Sequence, residues 1–306
     1  MARRSSRPVG RGFKSPRAHH TLGGAPTSHK YAHHHPLIVG FEGLNSGETL
    51  DLSLEGFNVI ELNASHYILD DLPPMPLDSS FDIYVNGGYV ATLVMSPSWV
   101  EEAVIGFLVG EGMASFDGIR GLDVGFESKA VSVIADGFRG RRRFFFDDCV
   151  ALASQASVVK SDLRIPRSLL EGLYEDFDSR SSGKQGLQAT GLYDIRGGRG
   201  VVAYDVSRYS SLAKALGYAI KNKYNMGESV VVTSGRASGD LIVMTANTGI
   251  PVVVTTKSPI YSGYVAAITY KVTLVTISRR GGEVKLRVLT YPERVVDRRE
   301  PSTPQY

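Results

Sequence analysis

The chain has 306 residues, which is enough for one large domain or two smaller ones with a substantial apolar core. Its single cysteine excludes an intrachain disulfide, and no apolar run is long enough to cross a bilayer. The net charge of +3 comes from residues 1–36, which hold seven Lys/Arg and no Asp/Glu, whereas the remainder has 27 basic and 31 acidic residues. We therefore expect a mildly acidic, cytoplasmic globular protein with a basic tail and no contact with a membrane.

Residues 1–36 are predicted to be a disordered basic tail. They are rich in Arg, Ser, Gly, Pro and His, and they lack the apolar surface needed to offset the entropy of ordering. Six of the seven histidines lie here without acidic ligands beside them, so we predict no metal site. A weak contact with nucleic acid is the alternative role for this tail.

Residues 37–146 have short apolar runs that predict a β-rich N-terminal domain with one helix. Asn86-Gly87 is typical of a hairpin turn, and Leu72–Pro76 is predicted to be a loop. The helix is predicted to begin at Ser96-Pro97, where Ser can cap and Pro suits the first helical position. Its apolar stripe indicates a core helix. The predicted strands are Ile38–Phe41, Leu50–Leu54, Val59–Leu62, Phe81–Val85, Tyr89–Met95, Val131–Ile134 and Arg143–Phe146.

Residues 147–185 are predicted to hold a cysteine-bearing loop, a helix over Ile165–Tyr174 and a linker over Ser179–Lys184. Residues 186–296 alternate β-branched runs with helical patterns, which predicts an α/β domain with a mainly parallel sheet, and residues 297–306 are a tail. The predicted strands of this domain are Leu192–Ile195, Val201–Asp205, Val230–Thr233, Val252–Thr255, Val272–Ile277 and Val284–Leu289, and its helices are Ser210–Tyr224, Leu241–Thr248 and Ser262–Tyr270.

Three of these strands end in small, basic turns. The turns are Ser234-Gly235-Arg236, the turn that begins at Lys257, and Ser278-Arg279-Arg280-Gly281-Gly282. If the strands are parallel, the turns share the edge at which open α/β sheets bind ligands. Free backbone N–H groups and cations at such an edge suit an anion, above all a phosphorylated ligand. Ordinary βα turns with a solvated charged rim are the alternative.

Catalytic side chains are sparse. His66 is the only histidine outside the tail, which argues against a Ser–His or Cys–His arrangement, and there is no Cys/His set for zinc. The one candidate nucleophile is Cys149. The adjacent Asp147 and Asp148 oppose thiolate formation, whereas the arginines at 141–143 would favour it if the chain folded back. A small buried apolar side chain is the alternative role for Cys149.

Short motifs follow one another in a characteristic order over roughly residues 80–296: Val85-Asn86-Gly87, Met95-Ser96-Pro97, Gly106-Phe107-Leu108, Glu111-Gly112, Thr190-Gly191, Asp205-Val206 with Arg208, Ser234-Gly235-Arg236, and Gly249-Ile250-Pro251-Val252. This series resembles the FdhD/NarQ family, the accessory sulfurtransferases of formate dehydrogenase. The resemblance implies a C-terminal cytidine deaminase-like three-layer α/β domain without zinc ligands, beside the smaller N-terminal domain. A homodimer is compatible with it.

The resemblance also implies a chemistry. Sulfur is received as a persulfide from a cysteine desulfurase and passed to the molybdenum bis-molybdopterin guanine dinucleotide cofactor of formate dehydrogenase or a related molybdoenzyme. Cys149 falls on the first cysteine of the family's Cys-x-x-Cys loop, so it is the implied catalytic residue. The family's cofactor-binding loop falls on residues 277–282. Together with the basic turns at the predicted sheet edge, this loop gives the predicted cofactor-binding residues Ile277, Ser278, Arg279, Arg280, Gly281, Gly282, Ser234, Gly235, Arg236 and Lys257.

The chain departs from the family pattern at several positions. Leu152 stands in place of the second cysteine, and Asp194 in place of a histidine. The family block Glu-Asp-Val-Gly-Arg-His-Asn reads Tyr204-Asp205-Val206-Ser207-Arg208-Tyr209-Ser210. One cysteine suffices to carry a persulfide, but it cannot form an internal disulfide with Leu152. Two hypotheses stay open: an active sulfurtransferase, and a non-catalytic paralogue that binds molybdopterin or a guanine nucleotide and has lost sulfur transfer.

Overall fold

The computed structural model describes residues 54, 56–69, 72–140 and 156–297, without the side chains of residues 69, 72 and 280. All of these residues belong to one compact unit, Asp51–Tyr306. Several predictions lie outside the described residues: those for the two tails, for the strands at 38–41 and 143–146, for most of the strand at 50–54, and for Cys149 and Leu152.

Strands and helices alternate through the described chain. The strands are β1 (Asn58–Leu62), β2 (His66–Leu69), β3 (Leu72–Pro76), β4 (Ser79–Val85), β5 (Gly88–Met95), β6 (Ile119–Gly125), β7 (Ala130–Ala135), β8 (Ile165–Pro166), β9 (Gln188–Asp194), β10 (Arg199–Asp205), β11 (Ser229–Thr233), β12 (Val252–Thr255), β13 (Thr273–Arg280), β14 (Glu283–Val288) and β15 (Val295–Val296). The α-helices are α1 (Val100–Gly110), α2 (Arg167–Ser181), α3 (Arg208–Lys221), α4 (Gly239–Asn247) and α5 (Tyr261–Tyr270).

Seven strands form the central sheet, in the order β1-β10-β9-β11-β12-β13-β14. β11, β12 and β13 are parallel neighbours, which confirms the predicted parallel edge. β10 runs in the same direction, because β9 lies antiparallel between β10 and β11. Helices α3, α4 and α5 connect these four strands in turn, so their N-termini follow the carboxyl ends of β10, β11 and β12.

Helices cover both faces of the central sheet, which explains the unbroken β-branched runs of its strands. On one face, α2 packs Leu170 and Phe177 in the same core as Val232. On the other face, α3, α4 and α5 pack over the alternate strand residues, such as Val231. The described structure is therefore a mixed α/β fold with a sheet between two helical layers.

A second sheet, with four strands in the order β5-β4-β7-β6, shares its core with α1. Phe81 of β4 is fully buried in the cluster that also contains Phe107 of α1 and Leu216 of α3. Asn86 and Gly87 have φ values of 50° and 81°, the left-handed values that a type I′ hairpin turn needs. The predicted hairpin between β4 and β5 is confirmed.

Helices α1 and α3 touch through their backbones. A Cβ at Gly106 would lie 1.8 Å from the carbonyl oxygen of Ala213, and a Cβ at Gly217 would lie 1.8 Å from the carbonyl oxygen of Glu102. Only glycine permits this approach at either position. The two glycines therefore determine how close the second sheet, which packs on α1, comes to the helices of the central sheet.

Two predictions in the N-terminal part are wrong. Leu72–Pro76 is not a loop but β3, which pairs with β2 in a two-stranded ribbon where proline needs no ladder partner. Helix α1 begins at Val100 instead of Pro97, and its N-cap residue Trp99 has a left-handed backbone with φ of 54°. Ser96 does not cap the helix, because its hydroxyl accepts a hydrogen bond from the N–H of residue 65 at 2.7 Å.

Two further elements differ from the predictions. Helix α2 continues to Ser181, into the first part of the predicted linker, because Phe177 extends its buried stripe beyond Tyr174. The strand β6, where no strand was predicted, pairs antiparallel with β7. Its sequence Ile-Arg-Gly-Leu-Asp-Val-Gly contains two glycines and two charges, which weaken the strand signal.

We predict that Gly106→Ala destabilises the protein by about 3 kcal/mol, because the new methyl group meets backbone that cannot move aside. Helix propensity alone would change stability in the opposite direction, by about 1 kcal/mol. The measurement is the midpoint of urea unfolding. Gly121→Ala is the matched control, since a Cβ at this strand position meets nothing within 4 Å. Equal midpoints for the two variants would contradict the backbone contact.

Candidate functional site

A cavity of about 790 Å³ opens at the carboxyl edge of the central sheet. It is bounded by the segments that follow β10, β11 and β12, by the start of β9, and by part of β5 from the second sheet. The lining residues are Thr92, Leu93, Val94, Gln188, Val206, Ser207, Arg208, Tyr209, Ser210, Ser234, Gly235, Arg236, Ser238, Asp240, Leu241 and Lys257.

Of the residues that the structure describes, three cationic side chains line this cavity, Arg208, Arg236 and Lys257, together with one carboxylate, Asp240. The excess of positive charge lies at the N-termini of α3 and α4, where the helix dipoles also favour an anion. Gly235 leaves room for Arg208, because a Cβ there would lie 2.8 Å from the Cβ of that arginine. The structure thus brings together four of the predicted binding residues, Ser234, Gly235, Arg236 and Lys257.

Arg208 was not among the binding residues predicted from the sequence. It is the first residue of α3, and the neighbouring Ser207 caps that helix by accepting hydrogen bonds from the N–H groups of Tyr209 and Ser210. The sequence signal that could have identified it is its place directly after β10. Because β10 runs parallel to β11, its end lies at the same edge as Ser234.

The backbone donors of the turn after β11 are used within the protein. The N–H of Ser234 donates to the carbonyl of Ala189 at 3.0 Å. The N–H groups of Gly235 and Gly239 donate to a threonine and a serine hydroxyl at 3.1 and 3.2 Å. The expectation of free backbone donors is therefore wrong for these three residues. Attraction for an anion rests on the three cationic side chains and the helix dipoles.

The described side chains of residues 277–279 and the two glycines at 281 and 282 do not line the cavity with the other predicted residues. β13 extends four residues beyond Thr276, which pairs with the last residue of β12. Ile277 is only 2% exposed and packs in the core with α2. Arg279 forms an ion pair with Glu175 of α2 at 3.2 Å. Gly281 and Gly282 close the hairpin to β14 with φ values of 59° and 86°.

A buried ion pair lies directly behind the cavity wall. Oδ2 of Asp205 is 2.6 Å from Nζ of Lys214, and both side chains are completely buried. The carboxylate also accepts hydrogen bonds from the N–H groups of Ser96 and Ser207, both at 3.1 Å. Nζ of Lys214 donates to the carbonyl of Ser96 at 3.1 Å. The pair thus joins the end of β5 to the start of α3, two walls of the cavity.

Burial acts on both members of this pair. It raises the pKa of Asp205 and lowers the pKa of Lys214, because the charged form of each group is poorly solvated there. Their mutual attraction and the hydrogen bonds from Ser96 and Ser207 oppose the shift of the Asp205 pKa. The loss of either partner would leave an isolated charge in the interior, which is costly.

Two residues that depart from the family pattern have structural partners. Asp194 is buried at the opposite edge of the sheet, where it accepts hydrogen bonds from the N–H of Gly197, from Nε of Arg199 and from the N–H of Asn225. Tyr209 donates its hydroxyl hydrogen to Oε1 of Glu111. Across the part of the chain that the structure describes, no His, Cys, Asp and Glu group could hold a metal ion, and no helix could span a membrane.

The fold and the cavity together define a mixed α/β protein with a cation-lined cavity at the carboxyl edge of its central sheet. A sequence model of the FdhD/NarQ family matches residues 76–296. The chain therefore belongs to the FdhD/NarQ family. Its described architecture also agrees with the position of the family motifs, since Gly106 lies at the α1–α3 contact and Ser234 to Arg236 lie in the cavity.

Individual relatives agree with this assignment. The proteins named sulfur carrier protein FdhD from Staphylococcus aureus strains JH9 and Newman are 25% identical over 239 residues, which cover 70% of this chain and 86% of theirs. A solved structure of a candidate formate dehydrogenase accessory protein from Desulfotalea psychrophila has a TM-score of 0.56 and 23% identity. The match covers 76% of this chain and 98% of that one, and it supports the fold.

We predict that Asp205→Asn lowers the free energy of unfolding by about 3 kcal/mol, because it leaves Lys214 buried without its counter-charge. Urea unfolding is the measurement, and the double variant with Lys214→Met should recover part of the loss. Arg120→Ala is the control, because its ion pair with Asp136 is more than 60% exposed on both sides and should contribute less than about 1 kcal/mol. Losses of similar size for Asp205→Asn and Arg120→Ala would count against the buried pair.

Proposed function

We propose that this protein is a cytoplasmic sulfur carrier for formate dehydrogenase or a related molybdoenzyme. The observation that carries the proposal is the cavity at the carboxyl edge, where Arg208, Arg236 and Lys257 face a space of nucleotide size. Family membership and the names of the relatives support it. The two helical layers around the sheet are compatible with the cytidine deaminase-like arrangement, which is part of this proposal.

Cys149 is the proposed carrier, and a cysteine desulfurase is the proposed donor. The Cys149 thiolate attacks the outer sulfur of the desulfurase persulfide. A new S–S bond forms as the old one breaks, and the desulfurase cysteine leaves as a thiolate. The sulfur moves as a neutral atom, so this step needs no external oxidant or reductant. The outer sulfur of the Cys149 persulfide is the atom destined for the cofactor.

The molybdenum bis-molybdopterin guanine dinucleotide is the proposed substrate. Its phosphates would lie against Arg208, Arg236 and Lys257, since guanidinium groups pair with phosphate oxygens through two hydrogen bonds and lysine adds a point charge. Ser234 and Gly235 shape the floor between these cations. Residues 277–282 would contribute to binding only by contacting a part of the substrate that extends outside this cavity.

A non-catalytic binding protein is the second candidate. It is favoured by one observation: among the residues that the structure describes, each cation lining the cavity comes from the segment after β10, β11 or β12, so these three cations do not depend on Cys149. Leu152 in place of a second cysteine also fits this candidate. Such a protein would bind molybdopterin or a guanine nucleotide and would transfer no sulfur.

We predict that the wild-type protein gains the mass of one sulfur atom when it is incubated with a cysteine desulfurase and cysteine. Cys149→Ser should gain none, because no other thiol is available. The measurement is intact-protein mass spectrometry, followed by formate dehydrogenase activity in cells that carry each form. Full activity with Cys149→Ser would exclude the carrier role and favour the binding protein.

We predict that Arg236→Ala weakens GDP binding about tenfold, the effect of losing one charge-assisted hydrogen bond, and leaves persulfide formation unchanged. Isothermal titration calorimetry is the measurement. Arg196→Ala is the matched control, because Arg196 lies in the β9–β10 turn at the opposite edge of the sheet. There it forms an ion pair with Glu228 at 3.0 Å. If the two variants bound GDP equally well, the cavity would not be the phosphate site.

A further inference from the structure

One wall of the cavity is the outer edge of strand β5. β5 is the outermost strand of the second sheet, and in an antiparallel pair alternate residues direct their N–H and C=O groups away from the partner strand. Val94 is one of the residues whose backbone groups point away from β4, because its carbonyl accepts a hydrogen bond from Oγ of Ser210 at 3.0 Å, outside the β4–β5 ladder. Ser96 continues the alternation, since its N–H and C=O bond to the buried ion pair. Thr92, two residues before Val94, therefore faces the same way.

The outward-facing backbone of Thr92 differs from that of the other two residues in the part of the molecule that it faces. Val94 and Ser96 bond to α3 and to the end of β10, whereas Thr92 lines the cavity. Its side chain is engaged elsewhere, because Oγ1 donates to Oδ1 of Asp82 and is hydrogen-bonded to the hydroxyl of Tyr89. What Thr92 offers a ligand is therefore one main-chain donor and one main-chain acceptor side by side.

An isolated donor–acceptor pair suits the edge of a planar ring. An extended peptide would need such pairs at several alternate residues. Here the carbonyl of the next outward-facing residue, Val94, is already bonded, and a register shift next to Ala91 interrupts the ladder on the other side. A ring whose edge carries an N–H beside a C=O can form both hydrogen bonds with Thr92 at once. Guanine and pterin rings share this edge.

We propose that the main-chain N–H and C=O of Thr92 bind the N–H/C=O edge of a guanine or pterin ring, with the phosphates of the same ligand toward Arg208, Arg236 and Lys257. This inference rests on the proposed function, in which the cavity holds a nucleotide-containing substrate. It adds an orientation, since the ring lies on the β5 wall and the phosphates lie on the wall formed by the βα turns. Strand β5 of the second sheet thereby determines which ring the central sheet's anion site accepts.

Calorimetry on the full chain, with GDP and inorganic pyrophosphate as probes, tests the proposal through Thr92→Pro and Thr92→Ala. Both variants lose the side-chain hydrogen bonds, but only proline removes the N–H, and at an outward-facing edge position it breaks no ladder bond. Thr92→Pro should bind GDP about tenfold more weakly than Thr92→Ala, with equal affinities for pyrophosphate. Equal GDP affinities would overturn the inference and leave the cavity as a nucleotide site. No binding of GDP or pyrophosphate to the wild type would overturn the proposed function as well.

Hydrogen exchange of the wild-type protein tests the same contact without a substitution. The Thr92 amide should exchange at least about tenfold more slowly with GDP, or with neopterin as a probe for the pterin ring, than with pyrophosphate. Protection by GDP alone assigns the guanine end to this wall, and protection by neopterin alone assigns the pterin end. Equal protection by pyrophosphate and GDP, or no protection by either ring, would overturn the proposal.

Discussion

The backbone contact between α1 and α3 is the constraint on which the cavity depends. Gly106 and Gly217 let the two helices approach until a Cβ on either would meet a carbonyl oxygen at 1.8 Å. The second sheet packs on α1, so this approach also carries the edge of β5 to the first turn of α3, where Ser210 reaches Val94. A larger residue at either glycine would separate two walls of the site, although neither glycine lines the cavity.

The buried pair of Asp205 and Lys214 holds the same two walls from behind. Its hydrogen bonds to Ser96 and Ser207 attach the end of β5 to the turn that presents Arg208. An ion pair in the interior is weak evidence of stability, because desolvation opposes the attraction. It does require the two charged groups to stay close together and hydrogen-bonded. Its role here is to position the walls, since each partner becomes costly if the other moves. The turn that carries Arg208 is therefore attached to the end of β5 through this pair.

Much of this arrangement could be predicted from local sequence, and the part that could not be predicted depends on distant contacts. The valine runs of β11 and β12 and the Asn86-Gly87 turn have unambiguous local signals, and the parallel edge follows from them. Arg208 was missed as a cavity residue because its position depends on β9 being inserted antiparallel between β10 and β11. The segment from Ile277 was assigned to the site by the family resemblance and by a turn predicted to begin at Ser278, but β13 continues to Arg280, which local sequence does not show. Ser96 has the signal of a helix cap, but tertiary hydrogen bonds take its polar groups instead.

The cavity has cations near helix N-termini on one wall and the edge of strand β5 on another. Its chemistry would be contributed by Cys149, which lies outside the described residues. We propose that sulfur carried by Cys149 reaches the molybdenum cofactor. The direct test is to load the protein with radiolabelled sulfur from a cysteine desulfurase, add the cofactor and follow the label. We expect the label to leave the protein and to be recovered with the cofactor. Label that stays on the protein, or that is released as free sulfide without reaching the cofactor, would contradict this proposal.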